Sequence, residues 1–220
     1  MDAQRAAGRA GGGSSLLALA GELAAVGRLA SALPWRSLAA DTLDAVDVHP
    51  VPVVLVHGLF GDPTNFAALR HHLARHGIRR FSSFAFAPRL DYQRLSRGLR
   101  AHVERVCRTT GLDRVDVVAH SLGGLVARYG VQTWDMPRVR RLVTLGTPYL
   151  AERHPEQELA IFAADDPIVP PPQDGARRRV QVIAGCGHVG LLTDARALDL
   201  VTRHLRRPVL VRRAPAPLAA

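Results

Sequence analysis

Lysine is absent: all 29 basic side chains in this 220-residue chain are arginine. Without lysine there is no P-loop grip on a nucleotide phosphate and no Schiff base with a carbonyl or with pyridoxal phosphate. Lysine-dependent kinases and aldolases are therefore excluded. Cysteine is nearly absent too. Cys107 and Cys186 are the only two, which rules out a disulfide framework and a four-cysteine zinc site. They can form one bridge or remain two free thiols, and a chain with room for a core of this size favours free thiols. Aromatic residues make up only 5%. None interleaves with the clusters Arg79-Arg80, Arg140-Arg141, Arg177 to Arg179, Arg206-Arg207 and Arg212-Arg213, so no base-stacking platform is expected, and no nucleic-acid partner. The net charge of +10 then reads as a solvated arginine surface that allows peripheral contact with an anionic membrane.

The chain also lacks a bilayer-spanning run of about 18 uncharged apolar residues. The apolar stretch from Ser14 to Leu33 is interrupted by Glu22 and Arg28. Within it Leu16, Leu19, Leu23, Val26 and Leu29 recur at helical spacing, as in an amphipathic helix lying on the domain or on a membrane surface. Ala30-Ser31-Ala32 resembles a signal-peptidase site, which leaves secretion open beside a cytoplasmic or membrane-peripheral location. The expected organisation is an arm over residues 1–48, one domain over 49–207 and a tail over 208–220.

From residue 50 onward strands and helices alternate. Strands are expected at Val51–Val56, Phe81–Phe86, Arg114–Ala119, Val139–Leu145, Leu159–Ala164 and Val180–Ala184. Helices are expected at Pro63–His76, Tyr92–Thr110, Leu122–Gln132 and Val189–Leu205. Gly77 and Gly111 mark two helix ends and Pro63 a helix start. Short, continuously apolar strands separated by helices predict an α/β fold: a mostly parallel central sheet of about six strands, buried by helices on both faces. In such a sheet ligands bind beyond the carboxyl ends of the strands.

Four loops at those ends carry polar chemistry. Ala119-His120-Ser121-Leu122-Gly123-Gly124 follows one strand and opens a helix. Small residues two before and two after a serine fit the sharp turn that pushes a nucleophile outward, although an N-cap serine in a Gly-rich turn reads the same way. His57-Gly58-Leu59-Phe60-Gly61 follows the first strand and can aim a backbone N–H at an anion. Its glycines are too few for a dinucleotide fingerprint. Asp165-Asp166-Pro167 offers a carboxylate to fix a histidine tautomer, or simply a turn before proline. His188 lies between Gly187 and Val189-Gly190, free to point into a cleft.

The order Ser121, Asp166, His188, each after a separate strand, is that of the α/β-hydrolases. Residues 50 to 205 resemble this family, and most closely its small lidless bacterial lipases and esterases. The resemblance rests on Val53-Val54-Leu55-Val56-His57-Gly58, Val117-Val118-Ala119-His120-Ser121-Leu122-Gly123-Gly124, Leu145-Gly146-Thr147-Pro148, Asp166-Pro167-Ile168-Val169 and Gly187-His188-Val189-Gly190-Leu191-Leu192. It implies Ser121 as nucleophile, His188 as base, Asp166 rather than Asp165 as acid, and the Leu59 and Leu122 N–H groups as oxyanion donors. Phe60, His120, Tyr149 and Val189 are expected to meet the substrate. The implied activity is hydrolysis of a lipid or small-molecule carboxylic ester through an acyl-enzyme, with no metal and no cofactor. Acyl transfer or thioester hydrolysis by the same groups, and a non-enzymatic binding protein of the same fold, are the alternatives. Only Tyr149 to Glu158 separate the Leu145-Gly146-Thr147-Pro148 turn from the next strand, so no cap domain is expected, and short to medium acyl chains are favoured. His72 and His76 share a helix face but lack the H-E-x-x-H glutamate, and Cys186 lacks an elbow of its own.

Overall fold

The structure, a computed structural model, describes residues 40–149, 155–172 and 179–208. The expected amphipathic helix at Ser14–Leu33, the Ala30-Ser31-Ala32 site and the tail from residue 209 lie outside them. Among the described residues no helix is long and apolar enough to cross a membrane.

Six strands form one sheet: β1 (Val53–Val56), β2 (Phe81–Phe84), β3 (Val115–His120), β4 (Val139–Leu145), β5 (Glu158–Ala163) and β6 (Val180–Ile183). Their spatial order is β2-β1-β3-β4-β5-β6, and every neighbouring pair is parallel. Among the described residues three helices link successive strands, α1 (Ala67–Arg75), α2 (Tyr92–Thr110) and α3 (Leu122–Thr133), and a fourth, α4 (Ala195–Arg206), follows β6. The central strand β1 is apolar throughout and fully buried because both of its faces are covered. Val53 and Leu55 join one core with Leu69 and Leu73 of α1 and Val201 and Leu205 of α4. Val54 and Val56 join a second core with Leu99 and Val103 of α2 and Val126 of α3. One strand thus feeds both layers through the period-two alternation of its side chains.

Local chemistry sets the helix ends. Asp62 accepts the Thr64 N–H at 2.6 Å while its own N–H donates to Asn65 Oδ1 at 2.7 Å, a capping box that starts the 3₁₀ turn Pro63–Phe66 leading into α1. Asp91 caps α2 through the Arg94 N–H at 2.9 Å, and Gly111 ends it at φ +68°, a conformation that favours glycine.

Most boundaries shift by a residue or two, as where β1 starts at Val53 and α1 proper at Ala67, and two further differences have a clear local cause. The helix expected over Val189–Leu205 is a 3₁₀ turn at Val189–Leu192 followed by a separate α4. Asp194 causes the break, because its carboxylate accepts the N–H groups of Arg196 and Ala197 and so restarts the helix. The strand expected to reach Phe86 stops at Phe84, because the Phe86 N–H is diverted to His57 Nε2 at 3.2 Å. The outer edge of β2 is covered: the Thr42 N–H donates to Phe81 C=O, and Asp41 accepts from Ser82 and Ser83.

The chain leaves β1 toward β2 on one side and returns to place β3 on the other. The loops after β1 and β3 therefore diverge at the switch point of the sheet, the position at which such sheets bind ligands.

Candidate active site

The turn between β3 and α3 is held at an unusual backbone geometry. Ser121 has φ 53° and ψ −123°, a region that costs a non-glycine residue about 1–3 kcal/mol. The surroundings fix it there. The Ser121 N–H donates to Leu145 C=O at 2.8 Å, and the Ser121 C=O accepts the Gly124 N–H at 3.0 Å and the Thr147 hydroxyl at 3.1 Å. Small residues are obligatory around it. A Cβ on Gly123 would lie 2.4 Å from the carbonyl oxygens of Val56 and His57, and one on Gly124 would lie 1.9 Å from Thr147 Oγ1. A Cβ on Gly58 would lie 2.9 Å from Ser121 Cβ, so the β1 loop passes directly beside the serine.

His188 approaches from the loop after β6. Its Nδ1 is 2.7 Å from Asp166 Oδ2. The other carboxylate oxygen, Oδ1, accepts the N–H groups of Ile168 and Val169, each at 2.8 Å. An ionised carboxylate only accepts, so Nδ1 carries the proton and Nε2 keeps a free lone pair. Asp165 is placed elsewhere: its carboxylate accepts the Gly185 N–H at 2.9 Å. The His188 ring lies over Gly146, where a Cβ would come within 3.0 Å of Nδ1. Gly146 directly follows Leu145, the acceptor of the Ser121 N–H, so both residues pack against this one turn. Among the described residues the Ser121 hydroxyl makes no hydrogen bond.

Two further histidines support these loops. His120 is buried, and its Nε2 is 3.2 Å from His188 C=O, to which the N–H donates. The two rings stand 4.7 Å apart. Burial, reinforced by the His188 and His57 rings, lowers the His120 pKa to about 3, so it stays neutral. His120 thus packs against His188. His57 donates from Nδ1 to Gly58 C=O at 2.8 Å, accepts the Phe86 N–H, and stacks on the Phe86 ring at 4.3 Å. Its pKa is lowered by burial. This ring ties the β1 loop to the end of β2.

The Leu59 and Leu122 N–H groups have no acceptor among the described residues. Leu59 is held by the Gly61 N–H to Gly58 C=O turn, and Leu122 opens α3, where the helix dipole favours negative charge. Phe60, at φ 57°, projects into solvent with 82% of its surface exposed. Leu90 and Ile168 are also exposed at this carboxyl edge. Tyr149 and Val189 are half-buried.

One constraint was invisible in the sequence. Arg128 of α3 and Glu158 of β5 form a buried ion pair at 2.7 Å. Thr144 donates to the same carboxylate at 2.7 Å, and Arg128 donates to Pro148 C=O at 2.6 Å. The Arg128 guanidinium also lies over the Tyr149 ring, 5.3 Å from its centroid. This network anchors the Thr147-Pro148-Tyr149 turn against α3. An arginine in an otherwise apolar helix and a glutamate at the head of an apolar strand were the only hints.

Cys107 and Cys186 are both buried and are not bridged to each other, and Cys186 packs in the core with Leu191 and Leu192. His72 faces Asp199 at 3.2 Å, and among the described residues no three metal-ligating side chains cluster.

A family model described as "alpha/beta hydrolase fold" matches residues 51–181. A triacylglycerol lipase of Burkholderia plantarii is 33% identical over 152 residues, covering 65% of this chain and 40% of that protein. One from Pseudarthrobacter phenanthrenivorans is 33% identical over 123 residues, covering 52% of this chain and 36% of that protein. The chain thus spans well under half the length of these curated relatives. Among solved structures, a lidless serine hydrolase from Xanthomonas campestris has a TM-score of 0.55 at 20% identity, with 73% of this chain and 80% of that chain covered. A predicted hydrolase of Thermoplasma acidophilum has a TM-score of 0.56 at 13% identity, covering 74% and 89%. Both likenesses concern the fold alone.

Proposed function

Because the chain belongs to the alpha/beta hydrolase fold family, we propose that it is a serine hydrolase that cleaves carboxylic esters, with Ser121 as nucleophile, His188 as general base and Asp166 as the orienting acid. The observation that carries this reading is the 2.7 Å Asp166–His188 hydrogen bond beside the strained Ser121 turn.

His188 Nε2 takes the Ser121 proton as Oγ attacks the ester carbonyl. The imidazolium that forms is stabilised by the Asp166 carboxylate, itself held by two backbone N–H groups. The Leu59 and Leu122 N–H groups receive the oxyanion, each contributing about 3 kcal/mol at the transition state by analogy with known oxyanion donors. His188 then protonates the leaving alcohol. Water, activated by the same imidazole, releases the acid from the acyl-enzyme.

Similarity to two triacylglycerol lipases supports an ester substrate with an apolar acyl chain. Exposed Phe60, Leu90 and Ile168 at the carboxyl edge supply apolar surface for that chain. The short connection between β4 and β5 favours short to medium acyl groups and argues against a sharp rate increase at a lipid interface. Turnover of p-nitrophenyl esters of graded chain length tests this reading. Ser121→Ala should abolish turnover with the thermal midpoint preserved; turnover that survives the substitution contradicts the assignment.

A further inference from the structure

The opposite edge of the sheet has a different character. The amino-terminal ends of β3 to β6 and the last turn of α4 enclose a cavity of about 370 Å³. Six arginines line it: Arg114, Arg140, Arg141, Arg179, Arg203 and Arg207. One carboxylate, Glu156, faces them.

Two of the six are committed to the fold. Arg140 pairs with buried Asp116 at 2.5 Å. Arg141, itself buried, donates to the terminal carbonyls of α4 at His204, Leu205 and Arg207. Its charge is met by the negative end of a helix dipole and by no carboxylate of its own. The other four, Arg114, Arg179, Arg203 and Arg207, are exposed and form no ion pair among the described residues. Guanidiniums gathered around one concavity repel each other, and a multivalent anion would relieve that repulsion with charge-assisted, bidentate contacts.

The rest of the lining narrows the ligand. Gln157 and Gln181 add amide donors, while Leu159 and Leu200 are the apolar members. No Phe, Tyr or Trp lines the cavity, and its one ring, His204, is half-buried with Nε2 turned to the Gln157 C=O, so it lacks the row of exposed rings on which successive bases stack. The concave shape suits a compact anion better than a flat bilayer. Position argues the same way. All strands are parallel, so this edge lies a full strand, on the order of 20 Å, from the Ser121 edge. A membrane bound here would hold the proposed ester site away from its lipids.

We propose that this cavity is a binding site for a small polyanion carrying two or more phosphate groups, independent of the ester chemistry. Titration calorimetry of the full chain with inorganic tripolyphosphate at low salt tests it. Arg179→Gln with Arg203→Gln should weaken binding about tenfold or more, with the thermal midpoint unchanged. The charge-matched pair Arg94→Gln with Arg108→Gln, at exposed positions of α2, should change it less than about twofold. No binding, or equal loss in both pairs, overturns the proposal. Vesicles rich in phosphatidylglycerol separate the two sources of phosphate. Retention of the wild type on vesicles, lost in the Arg179/Arg203 variant and without tripolyphosphate binding, would assign the arginines to a lipid surface and overturn the small-anion site.

Discussion

Replacing Asp166 with asparagine changes one atom in effect and inverts one hydrogen bond. The Asn Oδ1 can still accept the Ile168 and Val169 N–H groups, each now at 2.8 Å. The amide nitrogen then takes the place of Oδ2, 2.7 Å from His188 Nδ1. Two donors cannot face each other at that distance. His188 therefore moves its proton to Nε2, and the nitrogen that must accept the Ser121 proton has no lone pair. The loss expected for a wrong tautomer in this kind of site is about 10⁴-fold in kcat, equivalent to about 5.4 kcal/mol. Asp165→Asn is the control. Its contact is a single acceptor role toward the Gly185 N–H at 2.9 Å, which an amide oxygen can fill, so the rate should change less than about threefold. Steady-state hydrolysis of a short p-nitrophenyl ester, with thermal melts of each variant, reads the difference. Asp166→Asn retaining more than about a tenth of wild-type kcat, or Asp165→Asn losing as much as Asp166→Asn, refutes the reasoning.

Three further outcomes follow from contacts around the site. Gly124→Ala places a Cβ 1.9 Å from Thr147 Oγ1; overpacking should cost about 1–3 kcal/mol in urea unfolding, and Thr147→Ala should recover part of it. Arg128→Met leaves Glu158 buried without its guanidinium and should destabilise by about 3–5 kcal/mol, whereas Arg128→Met with Glu158→Leu should recover most of that loss. Burial holds His120 at a pKa of about 3, and His102 and His204 at about 4. The unfolded chain binds those protons near pH 6.5, so the stability these imidazoles contribute is full above that pH and declines as pH falls toward 4 and then 3. Urea midpoints at pH 7.5, 6 and 5 should fall in that order, and a flat series contradicts the neutral assignment.

The architecture is readable in the sequence because parallel strands buried on both faces leave unbroken apolar runs, as in Val53 to Val56. The C-terminal end of α2 is readable because Gly111 marks it chemically. The loops carrying Leu59, Ser121, Asp166 and His188 can be placed at one edge because every strand before them is parallel. What escaped the sequence depends on residues far apart in the chain. Arg128 and Glu158 are 30 positions apart, and nothing local pairs them. The contact from His120 to the His188 carbonyl spans 68 positions, and nothing local announces it. The early end of β2 at Phe84 and the restart of α4 at Asp194 each hinge on one hydrogen-bonding side chain, which periodicity does not register.

Covalent labelling of Ser121 by a fluorophosphonate tests the account most directly, because the reagent needs an activated serine and an oxyanion site and no knowledge of the natural ester. The account predicts a single adduct on the peptide containing Ser121, absent in Ser121→Ala and strongly slowed in Asp166→Asn. A folded protein that stays unlabelled, or one labelled at another residue, contradicts it.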